Sequence, residues 1–154
     1  MRNTIPLSGK HVELRDDQLI ISRTGMGGRI EYVNADFVEI SGFSEDELIG
    51  QPHNVIRHPD MPAEVFADLW SDIKDERPWI GVIHNRCKNG DAYWVEAEVS
   101  PVWEAGRVVG YLSIRRKASA EQIEQAKVLY AAMRAGQLHD HVFHHGRAES
   151  VSLL

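Results

Sequence analysis

WIGVIHNRCKNGDAYWVEAEVSPVW, residues 79–103, holds two runs of strand-forming residues on either side of Asn89-Gly90. Asn-Gly suits a turn whose two central residues both take positive φ, so the pair predicts a two-residue hairpin between antiparallel strands at 79–88 and 92–103. In the second run Tyr93, Val95, Ala97 and Val99 alternate with Trp94, Glu96 and Glu98. That alternation gives the strand one apolar face and one mixed face. Glu104-Ala105-Gly106 turns the chain once more, into a third strand at 107–116.

Upstream, residues 18–23 and 29–33 read as two further strands, joined by a turn with three glycines. Asn34 opens a short helix that Gly42 closes. Ser44 and Glu47 form a capping box for a second short helix ending at Gly50. Val65, Phe66, Leu69, Trp70 and Ile73 fall on one apolar stripe, which predicts the main helix over 61–75, capped by Asp60. Ser119 with Gln122 begins a last helix, ending at Gly136. The order β-β-α-α-α-β-β-β-α belongs to the α+β class: a five-stranded antiparallel sheet with short helices over one face, plus a C-terminal helix. Such a sheet and its helices enclose a cavity suited to a small ligand. The expected organisation is an N-terminal cap or disordered lead at 1–16, the main domain at 17–118, the C-terminal helix at 119–136 and a flexible linker or tail at 137–154.

A formal charge of −6 argues against nucleic acid, whose phosphates favour basic faces. One cysteine, Cys87, cannot form an internal disulfide, which suits a reducing compartment. No run of about 18 apolar residues is present, so no segment is expected to span a membrane. The tail histidines His139, His141, His144 and His145 with Asp140 have metal-like composition, but they lack a second ligand set and read as a solvated linker.

Between the short helices and the main one lies Gly-Gln-Pro-His-Asn-Val-Ile-Arg-His-Pro-Asp-Met-Pro, residues 50–62. Three prolines keep it out of regular helix, and its Arg, two His, Asp and Asn suggest a loop that holds something polar. This segment, with FADLW (66–70), PWIGVIHNRCKNGDAYWV (78–95) and GYLSIR (110–115), resembles the flavin-binding PAS domains of bacterial aerotaxis receptors. The likeness runs from about residue 17 to residue 136. It implies a PAS fold, FAD held without a covalent bond, and redox or oxygen sensing passed to the signalling region of a larger receptor. The residues themselves offer no nucleophile–base pair, no metal set with catalytic spacing and no phosphate-cradling Gly loop, so no enzymatic turnover is expected. The motif positions that would hold the cofactor are Arg57, His58, Asp60, Trp79 and Asn85, with Asn34 as a weaker candidate. The implied setting is the cytoplasmic part of a membrane-anchored receptor, with other receptor regions or a second copy of the chain as partners.

The residue types suit these roles. An indole can pack on a flavin ring or donate to it, and a carboxamide both donates and accepts at a pyrimidine-like edge. Arg57 and His58 could meet the nucleotide half, since a guanidinium forks onto phosphate oxygens. Two alternatives stay open. A cofactor-free interaction module would fill the cavity with side chains. A haem sensor would need an axial histidine, for which His58 and His84 are the candidates. Photochemistry through a cysteinyl adduct is disfavoured, because Gly50-Gln51-Pro52-His53-Asn54-Val55 carries no cysteine where light-sensing relatives have theirs.

Overall fold

The computed structural model describes residues 5–137 and 141–150. Five strands, β1 (Ile20–Gly25), β2 (Ile30–Val33), β3 (Trp79–Arg86), β4 (Ala92–Glu104) and β5 (Arg107–Lys117), form one antiparallel sheet in the order β2-β1-β5-β4-β3. The helices α1 (Ala35–Ser41), α2 (Glu45–Leu48) and α3 (Ala63–Lys74), with a 3-10 turn at His53–Ile56, follow β2 in the chain. The expected α+β architecture is therefore present. Strand parity explains the core: Ile20, Ser22, Thr24, Trp79, Ile83, Asn85, Tyr93, Val95, Ala97, Val99, Tyr111, Ser113 and Arg115 are all buried. They recur at every second position along their strands.

Both capping boxes form as read. Ser44 and Glu47 bond reciprocally at α2, and Ser119 and Gln122 do so at α4 (Ala120–Arg134). Four details differ from the sequence reading. First, β1 starts at Ile20 because Gln18 belongs to the preceding turn, where its N–H donates to Arg15 O and its Oε1 accepts from Arg15 N. Second, the β3–β4 connection is not a two-residue turn. Only Gly90 takes positive φ, at 94°, while Asn89 uses its Oδ1 to accept from Asp91 N. That local bond favours a longer loop closed by Cys87 N to Asp91 O.

Third, α3 begins two residues later than expected. Pro62 takes the N-cap position, with no side-chain hydrogen bond there, so Asp60 is not the cap. A residue before proline is disfavoured in helical geometry, and Met61 instead closes a turn, its N–H donating to His58 O, which delays the helix. Fourth, the expected flexible tail contains a hairpin, β6 (His141–His144) with β7 (Arg147–Ser150). His145 and Gly146 both have positive φ, 51° and 81°, as a type I′ turn requires. Residues 138–140 and 151–154 of that tail, His139 and Asp140 among them, lie outside the described residues, as do residues 1–4 of the lead. The rest of the lead is docked as a cap. Val12 N donates to Ala92 O and Ala92 N to Lys10 O, covering the start of β4 that β5 does not reach.

Gly110 on β5 pairs with β1 on one side and β4 on the other. A Cβ at this position would run into the Thr24 carbonyl oxygen. Gly110→Ala is expected to destabilise the fold by about 1–3 kcal/mol, read as a lower urea midpoint at unchanged slope.

Candidate functional site

A cavity of about 240 Å³ lies between the inner face of the sheet and α3. Its apolar walls are Phe66, Leu69, Trp70 and Ile73 from α3 and Ile83, Ala97, Val99 and Tyr111 from the sheet. Trp70 stands perpendicular to Tyr111, with ring centroids 6.0 Å apart. Gly28 has φ +80° and sits under the edge of the Trp70 ring, where a Cβ would be 3.2 Å from the indole. The exposed lining residues Gly27, Pro52 and Asn54 mark the opening.

The polar part of the lining is Thr24, His53, Asn54, Arg57, Asn85, Ser113 and Arg115, and among the described residues no Asp or Glu lines it. Arg115 is only 2% exposed. Its Nη2 donates to Ser22 Oγ at 2.6 Å, and its guanidinium carbon lies 4.9 Å from the Phe37 ring centre. Burial pushes its pKa down to about 10, so it remains a cation near neutral pH. Ser22 Oγ is also 3.1 Å from His53 Nε2. Burial, reinforced by Arg115 and Arg57, holds the His53 pKa well below its ordinary value. The neutral ring can then accept the Ser22 hydroxyl proton while Ser22 Oγ accepts from Arg115.

Arg57 and Asn85 enter the cavity together. Residues 57–58 run along the free edge of β3: Arg57 pairs with Asn85 in an antiparallel bridge, and His58 N donates to His84 O. Adjacent residues in an extended chain face opposite ways. Arg57 therefore turns inward, its guanidinium 3.5 Å from the Phe66 ring centre. Asn85 Nδ2, Arg57 Nε and Arg115 Nε are buried and have no hydrogen-bond partner among the described residues. Burial lowers the Arg57 pKa as well.

The same parity carries His58 to the outer face, away from the cavity. It stacks on His84 at 3.9 Å, and His84 stacks on Trp94 at 4.1 Å. His11 from the lead meets this stack, its Nε2 3.0 Å from His84 Nε2. Helix α4 closes it, with Tyr130 over Trp94 and the Tyr130 hydroxyl donating to Val82 O. Both histidines named as candidate haem ligands thus stand outside the cavity.

The other three sequence candidates also lie off the cavity wall. Asp60 donates its backbone N–H to His58 Nδ1, and its carbonyl oxygen accepts from Arg134 Nη1. Asn34 caps α1, its Oδ1 accepting from Phe37 N and Ile21 N while its Nδ2 donates to Leu19 O. Trp79 is 1% exposed and donates its indole N–H to Asp68 Oδ2 at 2.7 Å. Its ring lies over Gly81, where any Cβ would collide with it. Arg115 and His53 were not singled out from sequence. The signal for Arg115 was available, because it shares parity with Tyr111 and Ser113 on the core-facing side of β5.

A sheet of this order with such a cavity defines the class, and the family described as PAS fold matches residues 30–115: the chain belongs to it. The aerotaxis receptor of Escherichia coli (strain K12) is 44% identical over 128 residues, covering 83% of this chain and 25% of the receptor. The nitrogen fixation regulatory protein of Klebsiella pneumoniae is 28% identical over 100 residues, 64% of this chain and 20% of that protein. A solved PAS domain from Colwellia psychrerythraea superposes with a TM-score of 0.60 at 28% identity, covering 65% of this chain and 86% of that one. The sequence resemblance to the aerotaxis-receptor domain is therefore borne out. The chain spans a quarter or less of the length of these two curated relatives.

Burial, with neighbouring His58 and His11 adding to it, takes the His84 pKa from 6.5 to about 3, and His58 is lowered too. An unfolded chain takes up these protons near its ordinary pKa while the folded chain refuses them. Stability present above pH 6.5 is therefore lost as pH falls toward 3, where His84 itself protonates. The urea midpoint is expected to fall between about pH 7 and pH 4. His84→Phe, which keeps a ring in the stack, should make that decline shallower.

Proposed function

We propose that the cavity holds the isoalloxazine ring of FAD without a covalent bond, and that the chain is the redox- or oxygen-sensing part of a larger receptor. The observation that carries this reading is the donor set. Asn85 Nδ2, Arg57 Nε and Arg115 Nε are buried without partners beside an apolar slot walled by Phe66, Leu69 and Trp70. An unpaired buried donor costs about 1–3 kcal/mol; Arg23, Arg86, Tyr93 and Trp94 carry such atoms off the cavity, but the three that share its lining suit a ligand with several acceptors on a flat apolar body. A flavin ring has that character, and the likeness to an aerotaxis receptor supports the choice.

Each residue then has a defined task. Asn85 fixes the polar edge of the ring through its carboxamide. Trp70 and Phe66 pack against the apolar part, and His53 stays a neutral acceptor or donor behind it. Arg115 and Arg57 place two cations in a low-dielectric space with no acid among the lining residues. A positive field of that kind favours a ligand that gains negative charge. Bound flavin would supply reversible reduction at cellular potentials. Arg57, half-buried and close to the opening at Asn54, is the residue placed to reach toward the pyrophosphate. His58, Asp60, Trp79 and Asn34 act indirectly in this reading. They position the loop, the helix and the strand that carry the lining residues.

The change in hydrogen bonding at Asn85 and Arg115 on reduction is the signal, because a two-state element can be biased only by such a difference. The output goes to other regions of the receptor, or to a second copy of the chain, in the cytoplasm. No described helix is long and apolar enough to cross a membrane. A cofactor-free interaction module is the alternative, and it assigns no use to the three orphan donors.

The purified chain, reconstituted with FAD, should be yellow with two absorption bands and should bleach reversibly on reduction. A chain that stays colourless and takes up no FAD would overturn the reading. Asn85→Ala should weaken FAD binding about tenfold, measured by fluorescence titration. Arg115→Met should bind FAD but lower its reduction midpoint by on the order of tens of millivolts, since a buried cation that favours the electron-rich form has been removed.

A further inference from the structure

Helix α3 has two working sides. One lines the cavity through Phe66, Leu69, Trp70 and Ile73. On the other, Asp68 and Asp72 stand one turn apart, and both are buried, at 8% and 2% exposure. Two buried carboxylates need donors. Asp68 receives three: Trp79 Nε1 at 2.7 Å from β3, and the backbone N–H groups of His145 at 2.9 Å and Gly146 at 2.7 Å from the turn of the β6–β7 hairpin. The two backbone donors fork onto the two oxygens, Oδ1 and Oδ2, of the one carboxylate. Successive N–H groups in a turn with positive φ form such an anion-holding nest. Asp72 faces His145 Nδ1 at 2.8 Å and Arg77 Nη2 at 3.9 Å.

The turn also fits closely. A Cβ on Gly146 would strike the Ile80 carbonyl oxygen, so the hairpin tip seats against β3 as well as α3. Phe143 meets Tyr130 of α4, with ring centroids 6.3 Å apart, which joins the hairpin to the outer stack. The segment that leads out of the domain is thus tied to the helix that roofs the cavity and to the helix on the far face.

We propose that the β6–β7 hairpin is a latch on α3: its hold on Asp68 depends on the state of the cavity, and its release is the domain's output. Its ligand-dependence rests on the flavin reading above. The physical link is the single helix whose opposite sides meet the cavity occupant and the nest. A shift of α3 on filling or reducing the occupant changes the distances to Trp79, His145 and Gly146 together. Linkage makes the effect reciprocal: a latch that favours the filled cavity is itself tightened by filling it.

The test uses amide hydrogen exchange, resolved by NMR, on the full 154-residue chain without FAD, with oxidised FAD and with reduced FAD. Protection at the His145 and Gly146 amides should differ at least about threefold between two of these states. Equal protection in all three would overturn the latch. Gly146→Ala should deprotect both amides, speed exchange in α3 and raise the Kd for FAD about fivefold, without changing any residue of the cavity wall. If that variant frees the hairpin and leaves both α3 exchange and FAD affinity unchanged, the coupling is refuted. If the wild-type chain takes up no FAD, the flavin reading fails. The latch is then judged on α3 exchange in Gly146→Ala alone: faster exchange upholds the mechanical link and unchanged exchange overturns it. Far-UV circular dichroism of the variant, and trypsin cleavage after Arg147 in the wild-type chain across the same states, separate latch release from misfolding.

Discussion

A guanidinium almost wholly removed from water organises the inner face of this sheet. Arg115 keeps its charge, yet among the described residues no carboxylate comes to it. A serine hydroxyl and the face of Phe37 are its partners, and its Nε is unmatched. Burying a cation on such terms is costly unless something else supplies acceptors. Around it the structure makes consistent choices. His53 is kept neutral, Ser22 is oriented by both neighbours, and the surrounding walls are aromatic and aliphatic. The result is a slot with apolar walls and two guanidinium groups, those of half-buried Arg57 and buried Arg115, on its lining.

The free edge of β3 is the second organising element. One short extended segment lies along it and sends consecutive side chains to opposite sides of the sheet. Arg57 joins Asn85 inside, while His58 joins His84, Trp94 and Tyr130 outside. The cavity and the contact surface of α4 therefore share a single strand edge. The loop that looked from its composition like one binding motif is a seam between two environments.

Much of the fold was legible because it rests on local rules. Alternation in β4, the stripe on α3 and the serine-led capping boxes depend on residues within a turn or two of each other. The turn after Cys87 shows the limit. Asn-Gly marks a hairpin, but the Asn89 side chain bonded to Asp91 N and changed the turn type. The type I′ turn occurs instead at His145-Gly146, between strands of four residues, too short to show a period. The site was half legible. Asn85 and Arg57 sit on the cavity, whereas the Trp79 indole is committed to Asp68, eleven positions earlier, a pairing that only tertiary structure creates. Separating His58 from Arg57 required placing the loop in register with β3, which spacing alone does not give.

Histidine is the usual means by which a protein responds to mild acid. Here burial deprives three of them, His53, His58 and His84, of that role by holding their proton affinities down. Drift in cellular acidity around neutrality therefore leaves these rings uncharged, on the pocket side and on the helix side alike. At these three positions the fold, and not the surrounding medium, sets the charge on both sides of β3 near neutrality.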